Sequence, residues 1–582
     1  MKSIIYIILL YSFIVSKPLY PQDSSFFHYD WKTAIDTTWQ DTVRDLSTDT
    51  KLAVFDSVWT LLDQKFAGFN NLSVNWDSLR TVYRPEIANG ISMGRFTAIL
   101  NYLSLDLKDG HTFIGHGIIN QNPNPKPMTP ALYPGGWGLD WHFGAGLSPL
   151  PDSSLLVYSV IPDHPLGLEP GDIILGYDGI PWKRIYPILI KMELPLCMFP
   201  SLGSNDYSIN FNWLKAAGDN WHLFDTIDVV KYGSNDTLHL STKVMENHQF
   251  NFLHSDQLPQ PGIKFPQSVS DYKLSWGLLE NTNIGYIYIW SWYYNNISSM
   301  FYNAVDSLVH VYHVKGLILD MRDNTGGYMN NTYSGLSLLF RTSPSILGLA
   351  ERFSPFDHFT LKDFMNFSFA SNPDKSFAGP VAVLVSTYTE SAAEFVCYAL
   401  KQRPYTKFFG NPTSGSFASL EQSVINGFSL SYAYANGFDE NKPNNFLDHW
   451  SFPVDQEVYF KPEDVRHGVD SYVKAAVSWI DSITVLSVPS NQTQAYTYSL
   501  QQNYPNPFNP TTTIVFAVPK TSVVSLKVYN ALGQFVTTLF NKQFNMGSHQ
   551  YIWNASSYPS GVYFLRLEAD GFSEVKKALL IK

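Results

Sequence analysis

The sequence predicts a multidomain α+β protein. A helical N-terminal region leads to a β-rich segment, then to an α/β core on a mainly parallel sheet, then to a C-terminal all-β unit. Three observations predict this. A length of 582 residues exceeds what one hydrophobic core supports, at roughly 100–200 residues per domain. Apolar residues recur at helical spacing before residue 130, whereas short all-apolar strands alternate with helical segments between 275 and 483. Beyond residue 498 a period of two takes over.

Composition narrows the class. Hydrophobic residues make up 45% and charged residues 15%, which excludes a disordered chain. A net charge of −11 without a long Lys/Arg cluster gives phosphate backbones little to hold, so no nucleic-acid partner is expected. The two cysteines, Cys197 and Cys397, fall in different predicted domains, and spacing alone supports no disulfide. Cys397 sits at a helical position and reads as a small buried apolar residue. No zinc-type Cys/His spacing occurs, and neither a metal nor an organic cofactor is expected.

The elements follow in order. Lys2 precedes an apolar run from Ile4 to Val15, the length of a signal-peptide core and short of the ~20 residues of a membrane span. Residues 1–21 therefore read as a signal peptide, with an uncleaved N-terminal anchor as the alternative; no later run is long enough to span a bilayer. Residues 22–130 form the helical domain, where Phe96, Ile99, Leu100, Leu103 and Leu107 make one stripe. Asp109-Gly110 ends that helix and opens a loop carrying His111. Residues 131–260 form the β-rich segment, with LEPGDIILGYDG (Leu168 to Gly179) holding a strand between two turns.

Residues 275–483 form the core. Strands are expected at Ile284 to Trp290, Gly316 to Met321 and Pro380 to Val385, with helices near 296–312 and from about Ser391. A last helix carries Val473, Ala476, Val477 and Ile480 on one face. Residues 484–497, with Pro489, read as a linker. In the all-β unit, 498–582, Val524, Leu526 and Val528 alternate along one strand, while Pro505, Pro507 and Pro510 mark an edge or entry loop.

Three segments carry candidate chemistry. Ser391 lies in TESAAE directly after a buried strand, where a strand-to-helix turn lifts a side chain out at the sheet's edge near the positive end of a helix dipole. The Ala392 amide would point to the same place. Ser-x-x-Glu is equally a capping box, in which Ser391 and Glu394 satisfy first-turn amides. In LDMRDNTGG, Gly326 and Gly327 permit close backbone approach, and an N–H from either would serve as a second oxyanion donor. A tight turn closed by Asn324 is the plainer reading. His111, in LKDGHTF, supplies an imidazole that titrates near neutrality, as a serine's base requires.

Taken in order, DGHT, LEPGD, RDNTGG and SAAE resemble the tricorn and C-terminal-processing serine protease family over roughly residues 50–483. The resemblance implies a PDZ-like domain at 131–260 and a ClpP/crotonase-like protease core at 275–483. In the PDZ-like domain GLDWHF, with Gly138 and Leu139, would hold a peptide carboxylate. One branch of the family uses a lysine in a G-K-G segment; here Ser416 stands in its place. The tricorn-type branch uses the upstream histidine, matched by His111, and an acid matched by Asp448. Peptide or protein substrates are implied, with Ser391, His111 and Asp448 catalytic and Ala392, Gly326 and Gly327 as the oxyanion hole. The alternative is a catalytically inactive ligand- or peptide-binding protein on the same fold; a surface adhesive protein with an inert core is a third.

NYPNPFNP, VYNALGQ, SGVYFLRL and the terminal KKALLIK resemble a type IX secretion system sorting domain. That resemblance implies the type IX machinery as partner and a secreted or outer-surface location reached through the periplasm; the expected fold is an immunoglobulin-like sandwich, and an ordinary sandwich of that kind with a binding role is the alternative.

Overall fold

The computed structural model describes residues 46–116, 143–191, 193, 203–245, 258–265, 273–344, 347–439, 446–487, 498–500, 502–503, 506–544 and 547–582. It comprises two compact units, Met1–Val485 and Leu486–Lys582. The expected signal peptide, Gly138, Leu139 and Cys197 lie outside the described residues.

The first unit opens with helices Thr48–Lys65, Trp76–Ala88 and Met93–Leu105, whose caps Ser47, Asn75 and Ser92 accept from the third helical amide. The predicted stripe from Phe96 to Leu107 is buried, in one core with Phe428 and Leu430. Helical structure does not continue to residue 130. Directly after His111 the chain runs extended as β1 (Phe113–His116), because Ile114 completes that same core as a strand.

A six-stranded antiparallel sheet follows: β2 (Ala145–Pro149), β3 (Leu155–Val160), β4 (Ile173–Tyr177), β5 (Ile180–Pro181), β6 (Thr226–Val230) and β7 (Thr237–Ser241). The strand of LEPGDIILGYDG is β4. Helix Asp206–Lys215 sits between β5 and β6 in sequence.

The core sheet contains β8 (Leu274–Leu278), β9 (Ile284–Ile289), β10 (Gly316–Asp320), β13 (Val381–Val385), β14 (Thr406–Gly410) and β17 (Gln456–Glu457), in the order β17-β14-β13-β10-β9-β8. All pairs are parallel except β8 with β9. Every residue of β9, β10 and β13 is buried, since helices Ile297–Asp306 and Ala392–Lys401 cover one face and Ser471–Ser487 the other. That last helix runs four residues into the predicted linker, because no helix breaker stands before Pro489.

A third sheet in this unit is not foreshadowed by any sequence pattern. Strands β1, β11 (Leu347–Ser354), β12 (Asp357–Asn366), β15 (Ala418–Ile425) and β16 (Phe428–Asp439) pair antiparallel, and β1 docks on β16. The segment carrying His111 is thereby tied to the core region from which Ser391 comes. Register does the rest. Asp320 and Leu384 are partners at the ends of β10 and β13, so the RDNTGG and TESAAE turns emerge side by side at the C-terminal edge of the sheet.

Arg322 begins the first of these turns. Its guanidinium is buried between Asp320 (2.6 Å) and Asp470 (2.8 Å), which hold its pKa well above the usual value against burial. In the second unit, β18 (Ser499–Leu500), β19 (Thr511–Val518) and β22 (Gly547–Asn554) form one sheet. Strands β20 (Ser522–Asn530), β21 (Phe535–Phe544), β23 (Gly561–Ala569) and β24 (Phe572–Leu580) form the other. Both line one core that contains Val524, Leu526 and Val528.

Removing the guanidinium strands two buried carboxylates. Arg322→Ala is expected to cost about 3–5 kcal/mol in urea unfolding, more than the same change at exposed Arg466.

Candidate active site

Ser391 occupies the turn between β13 and helix Ala392–Lys401 with φ 54° and ψ −124°, a conformation that costs a side-chain-bearing residue strain. The turn is over-determined. Glu390 N–H donates to the Asn324 carbonyl at 3.0 Å, and Ser391 N–H donates to Glu394 Oε2 at 3.3 Å. The expected capping box pairs Ser391 with Glu394: the acid accepts from the Ser391 amide, and the serine side chain faces the Glu394 amide.

The glycine turn presses against this point. A Cβ on Gly326 would stand 2.6 Å from Ser391 Cβ and 3.0 Å from Ala392 N, so only glycine fits. The Gly326 N–H is committed to Asn324 Oδ1 at 2.9 Å, which corrects its assignment as an oxyanion donor: the asparagine closes its own turn. Gly327, at φ +131°, and Ala392 donate to no described group through their amides.

His111 is buried. Its Nδ1 lies 3.6 Å from Asp109 Oδ1 and has no hydrogen-bond partner, so the contact is an ion pair rather than a formed bond. Burial pulls the imidazole pKa down. Asp109 first, then the charges of Glu390 and Asp448, override burial and raise it to about 9. Burial pushes the Asp109 carboxyl up, but His111, the Thr112 hydroxyl at 2.5 Å and the charge of His449 bring it below the usual range. No described hydrogen bond joins His111 to Ser391; Glu390, the residue before the serine, is among the charges that raise the imidazole.

Asp448 belongs to this cluster and is not a solvated loop carboxylate: its exposure is 0% and neither oxygen has a hydrogen-bond partner. Burial, opposed by His449 and reinforced by Asp109, pushes it up to about 7. Gly68 walls this pocket, since a Cβ there would meet Asp448 Oδ2 at 2.7 Å. The acid beside Nδ1 is therefore Asp109. Sequence reasoning passed over it as a turn residue, although its place two residues before His111 was the available signal.

Glu394 ties the halves together. Its buried carboxylate accepts from Ser391 N–H, the Thr413 hydroxyl, Gly415 N–H at 2.8 Å and Ser416 N–H at 2.7 Å. Burial nonetheless raises its pKa to about 8, against the pull of these donors. Glu394→Ala leaves those donors without their acceptor and is expected to cost about 3 kcal/mol by urea unfolding. Unchanged stability would contradict the anchoring role.

Segments of the chain match known proteins. Residues 283–443, which include Ser391 but neither His111 nor Asp448, match the peptidase family S41. Residues 502–582 match the secretion system C-terminal sorting domain. A nisin-resistance protein of Lactococcus lactis subsp. lactis is 23% identical over 189 residues, 32% of this chain and 56% of that protein's length. Solved mature CPAF is 12% identical with a TM-score of 0.53, covering 76% of this chain and 97% of that one, a likeness of fold. A photosystem II D1 C-terminal processing protease is 18% identical with a TM-score of 0.37, covering 73% and 98% of the two chains; that likeness carries no argument. The core segment is thus similar to peptidase family S41, the C-terminal segment to a secretion system C-terminal sorting domain, and the chain spans about half the length of the curated relative it matches.

Proposed function

We propose that the chain is an exported endopeptidase or carboxy-terminal processing peptidase that works through a Ser391 acyl-enzyme. The observation that carries this reading is the Ser391 turn, strained, framed by Asn324 and Glu394, and pressed against a glycine turn. His111 takes the Oγ proton as Ser391 attacks a peptide carbonyl. The amides of Ala392 and Gly327 receive the oxyanion, one such donor typically contributing about 10²–10³ in rate. His111 then protonates the leaving amine, and water releases the acyl group. Asp109 steadies the imidazolium, with Asp448 behind it as a second carboxylate. The β2 to β7 sheet acts as a PDZ-like module presenting a substrate's chain end. The C-terminal immunoglobulin-like sandwich directs passage through the type IX machinery to the outer surface or medium.

A fluorophosphonate probe tests the chemistry. It is expected to label Ser391, and Ser391→Ala or His111→Ala should reduce peptide hydrolysis at least about 10³-fold. No labelling of a well-folded sample would overturn the reading in favour of a ligand-binding role on the same fold. The pH profile follows from the raised imidazole. A base must be neutral to accept the serine's proton, so activity rises with pH, with its midpoint approaching 9 rather than the ordinary histidine value. Asp109→Asn removes the largest raising influence and should move that midpoint down; a midpoint that stays in place would remove Asp109 from the site.

A further inference from the structure

Ser416 replaces the lysine of the other branch, yet its side chain still leads toward the base. Its Oγ lies 2.6 Å from Ser204 Oγ and 2.8 Å from Ser414 Oγ. Ser204 Oγ reaches Asp109 Oδ1 at 3.4 Å and accepts from Gly110 N–H at 3.0 Å. All three serines are fully buried. A carboxylate only accepts, and each hydroxyl has one proton, so one direction alone makes every contact: Ser414 donates to Ser416, Ser416 to Ser204, and Ser204 to Asp109. The oxygen at the end of this chain is the one that faces His111 Nδ1 at 3.6 Å.

The chain is held from both ends. Glu394 grips the Gly415 and Ser416 amides, and Ser204 N–H donates to the Ser414 carbonyl at 2.8 Å. The Ser204 carbonyl in turn accepts from His449 Nδ1 at 2.6 Å. Helix Ala392–Lys401, which begins at Ser391, is therefore connected through Glu394, Ser416 and Ser204 to the acid beside His111.

We infer that Ser204 and Ser416 are positioning residues: with Ser414 they form a buried hydroxyl chain that aims Asp109 at His111. The inference rests on the peptidase reading, and carboxylate–imidazole pairs of this kind depend on such supporting hydrogen bonds.

The test has two arms on the full chain. In the first, ¹⁵N-histidine NMR follows His111, whose signal is assigned by its loss in His111→Gln. His111 faces Asp109, Glu390 and Asp448, and Asp109 is also influenced by His449. Ser204→Ala and Ser416→Ala should lower the His111 titration midpoint, with Ser414→Ala having the smallest effect. In the second arm, Ser204→Ala should lower kcat about tenfold with KM within about twofold, the size expected for losing a hydrogen bond to a charged group. The Ser204→Ala/Ser416→Ala double variant should be no worse than Ser204→Ala, because the first cut disconnects the rest. Should Ser204→Ala fail to fold, Ser204→Cys keeps the volume with a weak donor and should move both readouts the same way. An unchanged His111 midpoint, or a double variant whose losses multiply, would overturn the inference. A wild-type chain that resists the fluorophosphonate while its His111 midpoint still responds to Ser204 would sink the peptidase reading and leave the hydroxyl chain standing.

Discussion

The site depends on one buried carboxylate. Glu394 lies one turn into the helix that starts at Ser391, and it accepts from the serine's own N–H and from three groups of the 413–416 loop. A carboxylate removed from water is costly unless such donors surround it, and here they belong to the two segments that must meet. The strain at Ser391 persists because Glu394 on one side and Asn324 on the other leave the turn no alternative.

Around this anchor the protein gathers acidic groups at a density that folding alone would not favour. Asp109, Asp448, Glu390 and Glu394 are all buried. Fold and chemistry pull in opposite directions with pH. His111 is raised to about 9, so the stability it contributes is full below the ordinary histidine value and is lost as pH rises through about 9. Glu394 and Asp448 are raised to about 8 and about 7, so the fold gives up stability as pH climbs from the ordinary carboxylate range through those values. The neutral imidazole that the proposed reaction needs therefore forms where all three groups favour the fold least. A site that spends stability in this way is arranged for chemistry.

Topology makes the arrangement possible. Parallel pairing delivers the ends of β10 and β13 together and sets the glycine turn against the Ser391 turn without any long-range search. His111 needs a different device. It comes from the helical region far upstream and is carried in by β1, which adds to β16 of the third sheet. Ser204, from the segment between β5 and β6, closes the cluster from a third direction.

Much of this was written along the chain. Short apolar strands declared a buried parallel sheet, the stripe from Phe96 to Leu107 declared a helix face, and alternation at Val524, Leu526 and Val528 declared the terminal strands, because each pattern is a local consequence of which side chains avoid water. Ser391, His111 and the glycine pair were legible for the same reason, as residue types in particular turns. What the tertiary structure alone decided is which groups are partners. It set Asp109 rather than Asp448 beside His111, committed the Gly326 amide to Asn324, buried Asp448, and joined Ser416 to Ser204 across 212 positions. Hydrogen bonds and ion pairs act over a few ångströms in space, whatever the separation along the chain, and no local periodicity encodes such a distance.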